Sequence, residues 1–385
     1  MTNHTSEFFM PSVNLFGQGK VKEVGPRLVG IGCKKPLIVT DEGLHKLGLS
    51  EEIASIIREA GLQVEIFPKA QPNPTDQNVE EGLKVYNDSK CDSIVSLGGG
   101  SAHDAAKGIA LVAANGGKIH DYEGVDQSQN PIVPLVAINT TAGTASEMTR
   151  FTIITDTTRK VKMAIVDKHV TPLLSINDPV LMVKMPPFLT AATGLDALTH
   201  SIESYVSTAA TPITDACAIQ AMKIIPEFLP RAVANGEDME AREKMVYAQF
   251  LAGMAFNNAN LGYVHAIAHQ FGGFYNLPHG LCNALLLPHV CRFNLIARTK
   301  RYAEIAEFLG ENTYGLSTRD AAELAIDAIV RLSSDLGVSG GFKAMGAKEE
   351  DIETLAKNAM KDATAVTNPR RPKLEEVIQI ITNAM

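Results

Sequence analysis

The feature that most constrains this chain is a strand that stops at three glycines and resumes as a helix. Asp92–Leu97 (DSIVSL) is a short apolar run of strand character, followed by Gly98, Gly99, Gly100 and Ser101. His103–Asn115 is then Ala-rich at helical spacing and is closed by Gly116 and Gly117. Three glycines remove every Cβ, so an anion can approach the backbone closely. The helix beyond them presents free N–H groups and the positive end of its dipole. Ser101 is placed to cap that helix or to donate to a phosphate oxygen. This is the physics of pyrophosphate binding without GxGxxG spacing. A plain tight turn is the alternative, and the strand-then-helix context favours binding.

The rest of the first half alternates in the same way. Pro36–Thr40, Gln63–Phe67 and Ile132–Asn139 read as strands, and Leu44–Gly61 and Asn78–Asn87 as helices. That alternation predicts an α/β domain, Rossmann-like, whose mostly parallel sheet is covered on both faces. Thr152–Thr155 and Val161–Val166 flank a polar turn and read as a hairpin added to that sheet. Ligands bind at the strand ends of such sheets. Two further features sit there: Asp41, after the first strand, and the hydroxyl-rich loop Asn139–Glu147 with Thr140, Thr141 and Thr144. An acid at Asp41 can hold ribose hydroxyls and repel a 2′-phosphate. The loop can serve phosphates or an amide, or be an N-cap with Glu147 closing a capping box.

After Met185-Pro186-Pro187 the pattern turns helical. Thr190–Val206, Thr214–Phe228, Met239–Asn258 and Arg319–Leu336 are rich in Ala, Leu and Met. The reading is an α/β domain over 1–185 and an all-α domain over 186–385. A chain of 385 residues is long enough for this split.

The helical half carries the stronger chemical signal. Asp196 and His200 are four apart and share a helix face, as do His265 and His269, and His279 follows. A lone histidine on an apolar face is usually a core residue; two such pairs plus a third histidine are harder to explain that way. One carboxylate with imidazoles and no thiolate suits Fe(II) or Zn(II). HExxH is absent, so a metalloprotease is disfavoured. A dinucleotide-type turn and a metal site in one chain suggest metal-assisted hydride transfer.

Composition excludes other classes. The net charge is −8, from 35 Lys+Arg against 43 Asp+Glu, which disfavours nucleic acid and anionic lipid as partners. No apolar run approaches the length of a membrane span, and the first residues lack a signal-like segment, so a cytoplasmic protein is expected. Five cysteines, none in CxxC spacing, indicate neither a disulfide framework nor a thiolate zinc site.

GGGSAHDAAK at 98–107, NTTAGTASEMT at 139–149, TAATGLDALTH ending at His200 and GYVHAIAHQFGGFYNLPHGLCNA at 262–284 together resemble the iron-dependent (group III) alcohol dehydrogenase family along essentially the whole chain. MPSVNLFG near the start and TNPRRPKLEEVIQII near the end are most similar to its NAD-dependent methanol dehydrogenase branch. The resemblance implies NAD-linked oxidation of a short primary alcohol such as methanol or ethanol to the aldehyde. It implies one divalent metal per subunit, Fe2+ or Zn2+, with Mg2+ or Mn2+ as alternatives. The implied metal ligands are Asp196, His200, His265 and His279, with His269 beside them as a proton-relay group. Gly98, Gly99, Gly100 and Ser101 would cradle the pyrophosphate and Asp41 the ribose. Asn73, Thr140, Thr141, Thr144 and Lys162 would line the cofactor site, and Phe256 the substrate pocket.

Thr364 would also lie near substrate, where relatives often carry Cys. Asp104 and Lys107 match positions near cofactor or metal, or form a surface i,i+3 ion pair. The family further implies a homo-oligomer, from dimer to decamer, and an activator protein as partner. Rival readings are a dehydroquinate-synthase-like or glycerol-dehydrogenase-like enzyme acting on a polyol, and a non-catalytic metal- or nucleotide-binding protein.

Overall fold

The computed structural model describes residues 7–385. Six strands form one all-parallel sheet: β1 (Val13–Phe16), β2 (Pro36–Val39), β3 (Glu65–Phe67), β4 (Ser93–Gly98), β6 (Leu135–Asn139) and β9 (Leu174–Asn177), in the order β1-β9-β6-β4-β2-β3. Three strands, β5 (Gly124–Val125), β7 (Phe151–Asp156) and β8 (Val161–Val166), form a second sheet in the order β5-β8-β7. Central strands are apolar throughout because both faces are covered. Leu37, Val39, Ile94 and Leu135 pack on one side with Val79 of α4 (Asp76–Asp88) and Ala105 and Ile109 of α5 (Gly100–Asn115). Ile38, Val95, Val136 and Ile176 pack on the other. Their partners there are Val24 and Leu28 of α1 (Val24–Gly30) and Ile53 and Ile57 of α3 (Leu49–Glu59).

The remaining helices are α2 (Glu42–Lys46), α6 (Pro187–Val206), α7 (Pro212–Ala234), α8 (Met239–Ala259), α9 (Tyr263–Tyr275), α10 (His279–Asn294), α11 (Thr299–Phe308), α12 (Thr318–Asp335), α13 (Ile352–Ala359) and α14 (Leu374–Ala384). The fold class is the expected one. Contacts divide the chain into two compact units, Phe9–Thr141 with Ala145–Val183, and Lys184–Met385 with Ala142–Thr144.

Several details depart from the sequence reading. The expected hairpin exists, β7 antiparallel to β8, but it belongs to the second sheet because β5 pairs with β8; it does not extend the main one. The expected helix Leu44–Gly61 is two helices, broken at Gly48, whose φ of 82° is left-handed. Helix α7 runs past Phe228 to Ala234 with Pro226 and Pro230 inside it. Among the described residues one stretch, His279–Ala297, is by length and composition apolar enough to cross a membrane, where the sequence reading sees none. It carries His279, Asn283 and Arg292, and buries Cys282, Asn283, Leu286, Leu287 and Val290 as a core helix does.

Candidate functional site

Helix α5 starts three residues earlier than expected, at Gly100, with Gly99 as its N-cap and no side chain capping it. Its first N–H groups are therefore left for a ligand. Ser101 lies inside the first turn and makes no cap bond. Gly98 has φ +150°, and a Cβ there would stand 2.7 Å from the Ala102 Cβ. At Gly99 a Cβ would meet Thr141 Cγ2 at 2.8 Å. Side chains would fill this cradle. Thr141 Oγ1 beside it is buried without a hydrogen-bond partner, which suits a polar ligand atom. The Thr140 N–H is tied to the Gly98 carbonyl at 3.0 Å.

Asp41 caps α2, accepting the Leu44 N–H at 2.9 Å, and its Oδ2 would stand 3.7 Å from a Cβ at Gly98. It therefore borders the same turn. Asn73 sits at φ 53° in a loop that the Thr155 N–H to Pro74 carbonyl bond, 2.7 Å, ties to β7. Lys162 is on β8, and Thr144 belongs to the helical unit. The fit to a dinucleotide thus rests on the glycine cradle, the uncapped helix and the orphaned hydroxyl.

Asp104 and Lys107 are not a surface ion pair: Lys107 is buried, and half-buried Asp104 has other partners. Asp104 accepts from Ser146 Oγ at 2.7 Å and from the Ile153 N–H at 3.1 Å. Lys107 Nζ donates to Ser146 Oγ, Thr149 Oγ1 and the Thr149 and Phe151 carbonyls. Together they brace the segment from Ser146 to Ile153. Burial pushes Lys107 down to about 8. Glu147 lies in a short 3-10 turn, Ser146–Met148, that has no side-chain cap, so the capping box is not formed.

In the helical unit, α6 supplies Asp196 and His200, α9 supplies His265 and His269, and α10 opens at His279. Gly280 permits the close approach of α10 to α6: a Cβ there would lie 2.4 Å from the Ala192 carbonyl oxygen and 3.3 Å from Asp196 Cβ. His279 is thereby set beside Asp196. Asp196 Oδ1 stands 3.8 Å from His200 Nε2, 3.8 Å from His265 Nε2 and 3.7 Å from His279 Nε2. The ligand atoms of Asp196, His265 and His279 lie within 4.8 Å of one another, and His200 Nε2 adjoins that group at Asp196. Phe256 stacks on His200 with centroids 4.3 Å apart.

The electrostatics also call for a cation. The Asn283 amide nitrogen lies 2.7 Å from Asp196 Oδ1, 3.0 Å from His265 Nε2 and 3.2 Å from His279 Nε2. Two N–H bonds face three acceptors. The Asn283 oxygen is itself buried without a partner. Burial pushes His200 down to about 4, so the ring is neutral and has a lone pair to offer. The donor set, Asp196 with His265 and His279 and with His200 Nε2 3.8 Å from Asp196 Oδ1, has the chemistry to hold a divalent metal.

Three polar partners escape the sequence reading. One is Asn283. A second is Glu203, which faces His265 Nδ1 at 2.5 Å and is pushed up to about 7 by burial, against the lowering effect of backbone N–H groups. The third is Asp362, which accepts from His269 Nδ1 at 2.9 Å. Burial acts to raise Asp362, but His269 and the Thr364 donors outweigh it and hold the group below its ordinary value. Thr364, expected near substrate, gives both its N–H, at 2.9 Å, and its hydroxyl, at 2.7 Å, to Asp362 Oδ1. His269 stacks against His279 with centroids 5.5 Å apart.

Residues 11–179 match the iron-containing alcohol dehydrogenase family, and residues 190–385 its C-terminal part. The chain is 60% identical to the NAD-dependent methanol dehydrogenase of Bacillus methanolicus, covering 100% of both. It is 53% identical to alcohol dehydrogenase 4 of Schizosaccharomyces pombe, covering 99% of this chain and 89% of that one. A crystal structure of 1,3-propanediol oxidoreductase superposes with a TM-score of 0.97 at 51% identity, covering 99% of this chain and 100% of that one.

Proposed function

This chain belongs to the iron-containing alcohol dehydrogenase family and is an NAD-linked alcohol dehydrogenase, and from that premise we propose that it oxidises a short primary alcohol such as methanol or ethanol, reversibly, to the aldehyde. The observation that carries the proposal is the convergence of Asp196, His265 and His279, with His200 Nε2 3.8 Å from Asp196 Oδ1. We assign the metal to these four, and NAD to Gly98, Gly99, Gly100, Ser101, Asp41, Asn73, Thr140, Thr141, Thr144 and Lys162. Cofactor binding is thereby placed in 1–185, and metal and substrate binding in 186–385. When bound, a divalent ion polarises an alcohol oxygen and lowers its pKa.

The chain's own residues supply the rest. Glycines 98–100 admit the pyrophosphate to the start of α5. Asp41 selects a ribose diol over a 2′-phosphate. His269 donates an Nδ1–H hydrogen bond to Asp362 Oδ2, so its Nε2 can accept the proton the alcohol loses. Phe256, 5% exposed and stacked on His200, supplies an apolar wall that suits a short alkyl group.

Likeness to 1,3-propanediol oxidoreductase favours a small diol as a second reading. A homo-oligomer is supported by β1, which among the described residues is the last strand at one edge of the main sheet and is partly exposed. A cytoplasmic location is supported by five cysteines that are all free and buried.

Steady-state NADH formation with methanol, ethanol, butanol and propanediol, with metal analysis of the same sample, tests the reading. Turnover of a primary alcohol is expected. No absorbance change with any alcohol under any metal supplement would overturn it.

A further inference from the structure

Helix α6 carries a third group on the face that presents Asp196 and His200. Glu203 follows them by seven and three residues, so all three side chains leave the helix in one direction. Its carboxylate is 4% exposed, and each oxygen has its own partner. Oε1 accepts the Val264 N–H at 2.7 Å, and Oε2 faces His265 Nδ1 at 2.5 Å. Val264 lies in the first turn of α9, whose N-cap is Gly262, a residue with no side chain to cap it. Glu203 thus closes the start of α9 from another helix and grips the first histidine on it.

The second contact has a chemical consequence. Oε1 takes the Val264 N–H, and an ionised carboxylate can only accept at Oε2 as well. Facing the ionised carboxylate, His265 carries its proton on Nδ1. Its Nε2 keeps the lone pair and points toward Asp196 Oδ1, 3.8 Å away. We propose that Glu203 is the positioning residue of the metal centre: it fixes the tautomer and ring orientation of His265 so that Nε2 is ready for a divalent cation before one arrives. This rests on the assignment of Asp196, His200, His265 and His279 as the metal ligands.

Glu203→Gln discriminates because an amide cannot serve both partners. With its oxygen toward Val264, its NH2 faces His265 Nδ1 and favours the tautomer whose Nε2 carries the proton. With the amide turned over, its NH2 meets the Val264 N–H. Partners of this kind are commonly worth about 10- to 100-fold in metal affinity.

The experiment titrates Zn2+ and Co2+ into metal-free wild type, Glu203→Gln and His279→Ala against a chromophoric chelator. The Co2+ visible spectrum and the thermal midpoint of each metal-free protein are recorded alongside. Wild type should take up one equivalent, and His279→Ala should lose it. Glu203→Gln should bind about 10- to 100-fold more weakly, with an altered Co2+ spectrum and a metal-free midpoint near that of wild type. Equal affinities for wild type and Glu203→Gln overturn the role of Glu203. Failure of wild type to bind stoichiometrically, or unchanged binding by His279→Ala, overturns the ligand assignment instead. If the Gln variant is itself destabilised, 15N-histidine NMR of the metal-free wild type decides. A proton on Nδ1 of His265 upholds the proposal, and a proton on Nε2 refutes it.

Discussion

Asp362→Asn tests whether His269 works as an oriented proton acceptor. In the native protein Asp362 Oδ2 receives His269 Nδ1 at 2.9 Å, and Oδ1 takes the Thr364 N–H and hydroxyl at 2.9 and 2.7 Å. The two Thr364 donors fix which way an asparagine would sit. Its carbonyl oxygen must replace Oδ1, so its NH2 is driven toward His269 Nδ1. That nitrogen must then become an acceptor, and the ring proton moves to Nε2, the atom that is to take the alcohol proton. Turning the amide over would set its NH2 against two donors instead. The substitution therefore removes the basic function of His269 without removing the ring.

General acid–base contributions are about 10²- to 10⁴-fold, so kcat/KM should fall by that factor in Asp362→Asn and by a similar one in His269→Ala, with metal content unchanged in both. The double variant should be no slower than the worse single one, because both remove one function. The deficit should shrink as pH rises, where hydroxide substitutes. The assay is NADH formation under alcohol saturation and under limiting alcohol across pH. A rate within twofold of wild type in Asp362→Asn, or multiplicative losses in the double variant, would refute the relay.

His265→Ala or His279→Ala should abolish metal retention and turnover while NADH binding persists, checked by metal analysis and NADH fluorescence; near-normal metal in either would remove that residue from the ligand set. Asp41→Gly should relax the preference for NAD over NADP, read as the ratio of kcat/KM values. A glycine cap costs only a few tenths of a kcal/mol, so stability should barely move even though the Leu44 bond is lost. His103→Leu should flatten the acid limb of stability. His103 is fully buried, bonds Ser96 Oγ at 2.7 Å and is pushed down to about 3 by burial. The unfolded chain binds that proton near pH 6.5 and the folded one does not, so stability is lost as pH falls from about 6.5 toward 3, about 1.4 kcal/mol per pH unit. Chemical denaturation at pH 7 and pH 5 reads this directly, and parallel curves for wild type and variant would contradict it.

Much of this structure is legible in the residues because local physics specifies it. Strands such as Pro36–Val39 are uninterrupted apolar runs, which only a doubly covered sheet requires. The glycines at 98–100 and the four-residue spacing within Asp196/His200 and His265/His269 are local signals that need no partner to be read. What escapes depends on distant partners. Strand β1, Val13–Phe16, is short, mixed in polarity and partly exposed, and only its pairing with β9 makes it a strand. The hairpin's sheet is decided by β5, two residues long. Glu203, Asp362 and Asn283 are ordinary polar residues along the chain. Their roles come from partners 62, 93 and 87 residues away. For Thr364 the bond that explains its hydroxyl, to Asp362, appears only once the turn at 363–367 is folded.

The central claim is that the Asp196 and histidine cluster holds the ion on which alcohol oxidation depends. The most direct measurement removes bound metal with a chelator and adds one divalent ion back in steps, recording metal content and ethanol-dependent NADH formation on the same sample. The rate should rise linearly and level off at one equivalent per chain, and His265→Ala should stay flat throughout. Full activity in protein shown to be metal-free would contradict the account.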